Sequence, residues 1–140
     1  MSSFGRNPRL AAYQSVSAHG RVDSADPHAL VLMLMDGALE RLAGARGCME
    51  RGEIARKAQL ISSCTTLVAE LRGSLNLQDG GNLAHNLADL YDYMLRQLTR
   101  ANAENRVEML TEVCSLLVEI RGAWNAIAPE VRAGRNATAG

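Results

Sequence analysis

Leu71-Arg72-Gly73-Ser74-Leu75-Asn76-Leu77-Gln78-Asp79-Gly80-Gly81-Asn82-Leu83 is the stretch that decides the fold. It reads as a helix end running to Leu77, a turn over Gln78, Asp79, Gly80 and Gly81, and the start of a fresh helix. The paired glycines supply the positive-φ freedom of a tight reversal, and Asn82 has a side chain able to cap the new helix. Two long amphipathic helices are therefore folded back on each other.

On the N-terminal side of that turn, Ile54, Ala58, Ile61, Thr65, Val68, Leu71 and Leu75 recur at spacings of three and four, the stripe of a second helix. On the other side, Leu83, Leu87, Leu90, Met94, Leu98 and Ala101 form the stripe of a third, ending at Asn102. The first helix begins at Asp26-Pro27, an N-cap side chain followed by a proline whose missing N–H costs nothing there, and carries Leu30, Leu34, Ala38, Leu42, Ala45 and Met49 up to Gly52. Asn105 with Glu108 three residues later resembles a capping box for a fourth, which carries Val107, Leu110, Cys114, Leu117, Ile120, Trp124 and Ile127 until Pro129. Links of a few residues between long helices force antiparallel neighbours, and no period-two alternation signals a strand. The expected fold is all-α, an antiparallel up-down-up-down four-helix bundle over 26–128. A flexible N-terminal arm (1–25) precedes it and a disordered tail (129–140) completes the chain. The small residues Gly37, Ala38, Gly44 and Ala45 point to a close helix–helix approach along helix one.

The 140 residues suit one domain, and Lys+Arg balance Asp+Glu at 15 each, which indicates neither charge-driven disorder nor a basic surface for nucleic acid. Fourteen of the cations are arginines, scattered from Arg6 to Arg135, and Lys57 is the single lysine. Cys48, Cys64 and Cys114 are odd in number and far apart, so they read as reduced thiols of a cytosolic protein. The longest apolar run, Ala29 to Met35, is far short of a bilayer span, and no apolar segment stands behind Arg6 and Arg9 to make a secretory signal.

Catalytic chemistry finds no foothold. His19, His28 and His85 lie on different segments, none three residues after a glutamate, so the Glu-x-x-His pairs of di-metal bundles are missing. There is no glycine-rich strand-to-helix loop for a nucleotide and no nucleophile with a base. A phosphotransfer bundle acting through His85 is the nearest enzyme-like rival, but Asn86-Leu87-Ala88-Asp89 offers nothing to cradle a phosphoryl group. No cofactor is expected. A surplus of apolar surface stands out: on a helical wheel the apolar arcs of helices two and four span about 180° and 200°, when a core-facing helix needs roughly half that. Either neighbouring helices cover these flanks, or a partner or second copy does.

With the helices placed, specific words become comparable. Tyr13, Gln14 and Val16, the helix start Ser24-Ala25-Asp26-Pro27 with Leu30, Val31, Met33, Leu34, Asp36, Gly37 and Ala38, and the Gly80-Gly81 turn resemble the FliS family of flagellar secretion chaperones. So do Asn86-Leu87, Leu90-Tyr91-Asp92-Tyr93-Met94, Ala101-Asn102 and the late Trp124. The resemblance runs from Tyr13 to Ile127. Met35 stands where that family usually has an aromatic, and Asp26 replaces its usual serine, an exchange that preserves capping. The resemblance implies a cytosolic binding module rather than an enzyme. Such a module holds the C-terminal region of flagellin, prevents its premature polymerisation and delivers the complex to the flagellar export gate, without inserting in the membrane itself. The alternative is a helical adaptor that dimerises through the same flanks. On the chaperone reading the client lies as an amphipathic helix against helices two and four. Ile61, Leu67 and Leu71 are the candidate contacts on helix two, and Val113, Leu117 and Ile120 those on helix four. The flexible methionines Met33, Met35 and Met109 are suited to an irregular partner, Met33 being the candidate contact. Leu10, Tyr13 and Val16, three residues apart, are candidates in the arm, with Tyr13 matching a family tyrosine linked to flagellin. Together they have the spacing to form a helical turn that covers the empty groove.

Overall fold

A computed structural model describes residues 26–126, apart from the side chain of residue 79. Four helices make up nearly all of that span: α1 (Pro27–Arg51), α2 (Ile54–Gly73), α3 (Leu77–Glu104) and α4 (Val107–Ala126). The chain divides into two compact units, Met1–Val31 and Leu32–Gly140. Only the opening of α1 belongs to the described part of the first unit, where Asp26 Oδ1 accepts the Ala29 N–H at 3.1 Å, the cap expected from its side chain.

The second unit is a ring of four antiparallel neighbours. From α1 to α2, Cys64 Sγ lies 3.6 Å from the Ala38 carbonyl, and Arg41 Nε donates to Ser63 Oγ at 2.5 Å. From α2 to α3, Arg72 pairs with Asp92 at 3.0 Å, while the buried Lys57 donates from Nζ to the Asn102 carbonyl at 2.9 Å. From α3 to α4, the Tyr93 hydroxyl and the Gln97 amide both donate to Glu112, at 2.7 and 3.0 Å. From α4 back to α1, the Arg121 guanidinium grips both Asp36 oxygens, Nη2 to Oδ2 at 3.2 Å. Each seam thus carries a polar clasp around one apolar core. Leu34, Met35, Ala38, Leu42, Ile61, Val68, Leu71, Met94, Leu98, Leu110, Val113 and Leu117 are among its buried side chains. Met35 fills core volume.

The links are more economical than the sequence predicts. α1 closes with the Gly52 N–H on the Met49 carbonyl and the Glu53 N–H on the Cys48 carbonyl, the paired bonds of a Schellman ending. α2 stops at Gly73, so Leu75 falls in the link instead of on the helical stripe. A single helical turn starts at Leu77, Gly80 N–H bonds the Asn76 carbonyl at 2.8 Å, and the reversal is concentrated at Gly81, with φ 57° and ψ −141°. A side chain is sterically barred from that conformation, which explains the second glycine; the first is needed for space, since a Cβ on Gly80 would lie 2.5 Å from that of Ala84. α3 continues past Asn102 to Glu104, where Asn105 adopts φ 53° and the Arg106 N–H reaches the Ala101 carbonyl at 3.3 Å. Asn105 therefore terminates α3 in the left-handed conformation that asparagine tolerates, and the expected capping box with Glu108 is not how α4 begins. Glu108 sits instead in the first turn of α4, its carboxyl held below the usual carboxylate range, first by its own backbone N–H and then by Arg106.

Candidate functional site

The surplus apolar surface of α2 and α4 has two different fates. On α2 it is largely spent within the bundle. Leu60 and Leu67 lie over Gly44 and Gly37 of α1, so closely that a Cβ on either glycine would meet a leucine methyl at 3.0 or 3.2 Å. The close approach expected from the small residues of helix one is real, and its effect is to cover the α2 flank. Leu67 is half-buried by this packing, and Ile61 and Leu71 are in the core. Of the three candidate contacts on α2, Ile61 and Leu71 are therefore corrected, being core residues closed to a partner, while Leu67 keeps part of its surface beside the hollow at Gly37.

On α4 the correction is of phase. Met109, Leu110, Val113 and Leu117 face the core, so Val113 and Leu117 are not available to an outside partner. The residues that flank this stripe are the open ones: Cys114, Leu116, Ile120 and Trp124 are half-buried and Val118 is 52% exposed. Ile120 alone of the three α4 candidates keeps surface. Of the three flexible methionines, Met35 and Met109 are buried and Met33 is 39% exposed. Leu10, Tyr13, Val16 and Ile127 lie outside the described residues.

A shift of one residue on α3 creates surface that the sequence reading missed. Through the first half of this helix the core positions are Ala84, Ala88 and Tyr91, not Leu83, Leu87 and Leu90. The small alanines point inward, and the leucines stand on the edge that a helical wheel places next to α4, with Leu83 68% exposed and Leu87 and Leu90 half-buried. The hydrogen bonds of Tyr93 and Gln97 to Glu112 set the antiparallel register of the seam. Counting from that anchor at 1.5 Å per residue on both helices brings Leu90 level with Leu116, Leu87 with Ile120, and Leu83 with Trp124. The α3–α4 seam is thus clasped by polar groups near Glu112 and lined by partly wet apolar side chains from there to the Gly81 turn.

Among the described residues no group of His, Cys, Asp and Glu is placed to hold a metal ion, and no helix is long and apolar enough to cross a membrane. Burial raises the Cys64 thiol to about 12, the reverse of an activated nucleophile, and raises Tyr91 to about 12 for the same reason.

Comparison with known proteins decides the family. The family model described as "Flagellar protein FliS" matches residues 9–131. The chain belongs to the FliS family. Among FliS proteins it is 45% identical over 118 residues to the "Flagellar secretion chaperone FliSB" of Pseudomonas aeruginosa, covering 84% of this chain and 94% of that one. It is 40% identical over 121 residues to the "Flagellar secretion chaperone FliS" of Vibrio cholerae, with 86% and 89% covered. The FliS of Bacillus subtilis is 32% identical over 135 residues, with 96% of each chain covered.

Proposed function

We propose that this chain is a flagellar export chaperone that holds the C-terminal segment of flagellin in the bacterial cytosol, keeps it from polymerising and delivers it to the flagellar export gate. The observation that carries this reading is its membership of a family whose relatives bear the name flagellar secretion chaperone. The physical support is a well-packed bundle that leaves a row of apolar side chains partly wet on α3 and α4. At about 25 cal/mol per Å² such surface is a standing cost unless a partner covers it. A client that is unfolded alone and folds as it binds gives up ordering free energy, so it needs an extended apolar track instead of a small pocket. The work is binding, with no bond made or broken.

Leu10, Tyr13 and Val16 enter the same reading as a removable cover for the track, released when the client arrives. Co-expression with the cognate flagellin tests the function: a stoichiometric soluble complex that blocks filament growth is the expected outcome. A tight homodimer indifferent to flagellin would replace the chaperone by the dimerising adaptor.

A further inference from the structure

The α3–α4 seam changes character once along its length. From the Gly81 turn to Leu90 and Leu116 its flanks are apolar and partly wet. One turn further, the Tyr93 hydroxyl and the Gln97 amide reach across to the two oxygens of Glu112, at 2.7 and 3.0 Å. The Gln97 end of this bridge is buried, at 8% exposure, while the Tyr93 end lies in solvent. At 3.6 residues per turn, Tyr93 sits about 60° further from the core than Leu90, and Glu112 about 40° further than Leu116. The bridge therefore crosses the mouth of the seam, outside its apolar floor. Arg96 rests 5.8 Å from the centre of the Tyr93 ring, and the bond to Glu112 raises the phenol above its usual range, so the ring is held from both ends.

We propose that the Tyr93–Glu112–Gln97 bridge is an end stop, a positioning device that fixes how far along the seam a bound client helix extends. The inference rests on the chaperone reading, takes the apolar track as the client's and adds what bounds it. A client stripe advancing past Leu90 and Leu116 would have to displace the bridge and bury the Glu112 carboxylate, whose two oxygens already have their donors on α3. Burying a charge without a better partner is unfavourable. The length of the seat is thereby set: Tyr93 stands eleven residues beyond Asn82. That is about 16 Å, or roughly three helical turns. An apolar track without a stop accepts an amphipathic helix in several registers, one turn apart. A bridge across one end penalises all of them but one.

The experiment is calorimetric titration of the full chain with segments from the C-terminal region of the cognate flagellin, lengthened one helical turn at a time from either end. Affinity is expected to rise with each turn up to about three and then to level. In Glu112→Leu the levelling point is expected to move out by about one turn, the longer segments binding about fivefold more tightly than to the unaltered chain. Tyr93→Ala removes the solvent half of the bridge, leaves the buried Gln97 pair intact and is expected to move the levelling point the same way. Glu112→Gln, whose amide can rebuild the bridge, is expected to level where the unaltered chain does. Helical circular dichroism of each variant shows that the bundle persists. If no segment binds the unaltered chain, the chaperone reading itself fails. If segments bind and affinity keeps rising past about three turns, or levels at the same length in both Glu112→Leu and Tyr93→Ala, the end stop is overturned. A shift in Glu112→Gln as large as that in Glu112→Leu would overturn the bridge in favour of bare charge.

Discussion

Leu117 and Val118 are adjacent in sequence and opposite in environment: the first is fully buried, the second 52% exposed. Their substitutions should separate folding from surface effects. Leu117→Glu places a carboxylate in the core and is expected to abolish the helical circular dichroism at neutral pH, whereas Leu117→Ala should cost about 2–5 kcal/mol in urea unfolding. Val118→Glu should leave stability within about 0.5 kcal/mol of the unaltered chain. Which apolar residues of α4 are inward is only half legible in the sequence. Periodicity correctly gives Leu110 and Leu117 to the interior, but an apolar arc of about 200° has no unique centre. Val113 and Met109, not Cys114 and Val107, fill the core, and the same rotation of α4 brings Glu112 to α3 and Arg121 to α1.

Element boundaries obey the same logic. The start of α1 at Asp26-Pro27 and its end before Gly52 are readable because caps and glycines act locally. The Asn105-x-x-Glu108 spacing misleads because a left-handed Asn and a capping Asn look alike in sequence and differ only in φ, 53° here. On α3 a three-four leucine pattern conceals a better-fitting pattern of Ala84, Ala88 and Tyr91 one residue along, so Leu83, Leu87 and Leu90 read as core, whereas Leu83 is exposed and Leu87 and Leu90 are half-buried. The α2–α3 reversal permits a sharp check. Gly81→Ala forces a Cβ into φ 57°, ψ −141° and is expected to lower stability by about 1–3 kcal/mol, measured as a shifted urea midpoint. Asn105→Gly should be neutral or slightly stabilising at the α3 terminus, where Asn105→Val should be destabilising.

At the scale of the whole molecule, the fold class and the ring of antiparallel neighbours are legible because short links between long helices leave little choice. The consumption of the α2 flank by α1 is not, since it depends on two leucines meeting two glycines across a seam. Buried ionisable groups give the bundle a pH signature. Cys64 and Tyr91 are raised from 9.0 and 10.0 to about 12 by burial, so their neutral forms contribute stability that is complete below pH 9 and falls as the pH climbs toward 12. The urea midpoint is therefore expected to decline progressively above pH 9, and Tyr91→Phe to flatten the upper part of that decline. Deleting residues 1–20 should tighten or speed capture of the flagellin segment if the arm covers the track, and unchanged or weaker binding would remove it from that role.

Lys57 carries a practical corollary. The single lysine of this sequence is tucked beneath the end of α3 with its ammonium on the Asn102 carbonyl. Acylating reagents and amine-directed cross-linkers will find no side-chain target on the native bundle. Labelling of Lys57 read by mass spectrometry therefore clocks global opening, and any covalent map of the client complex must be built on carboxylates or thiols instead.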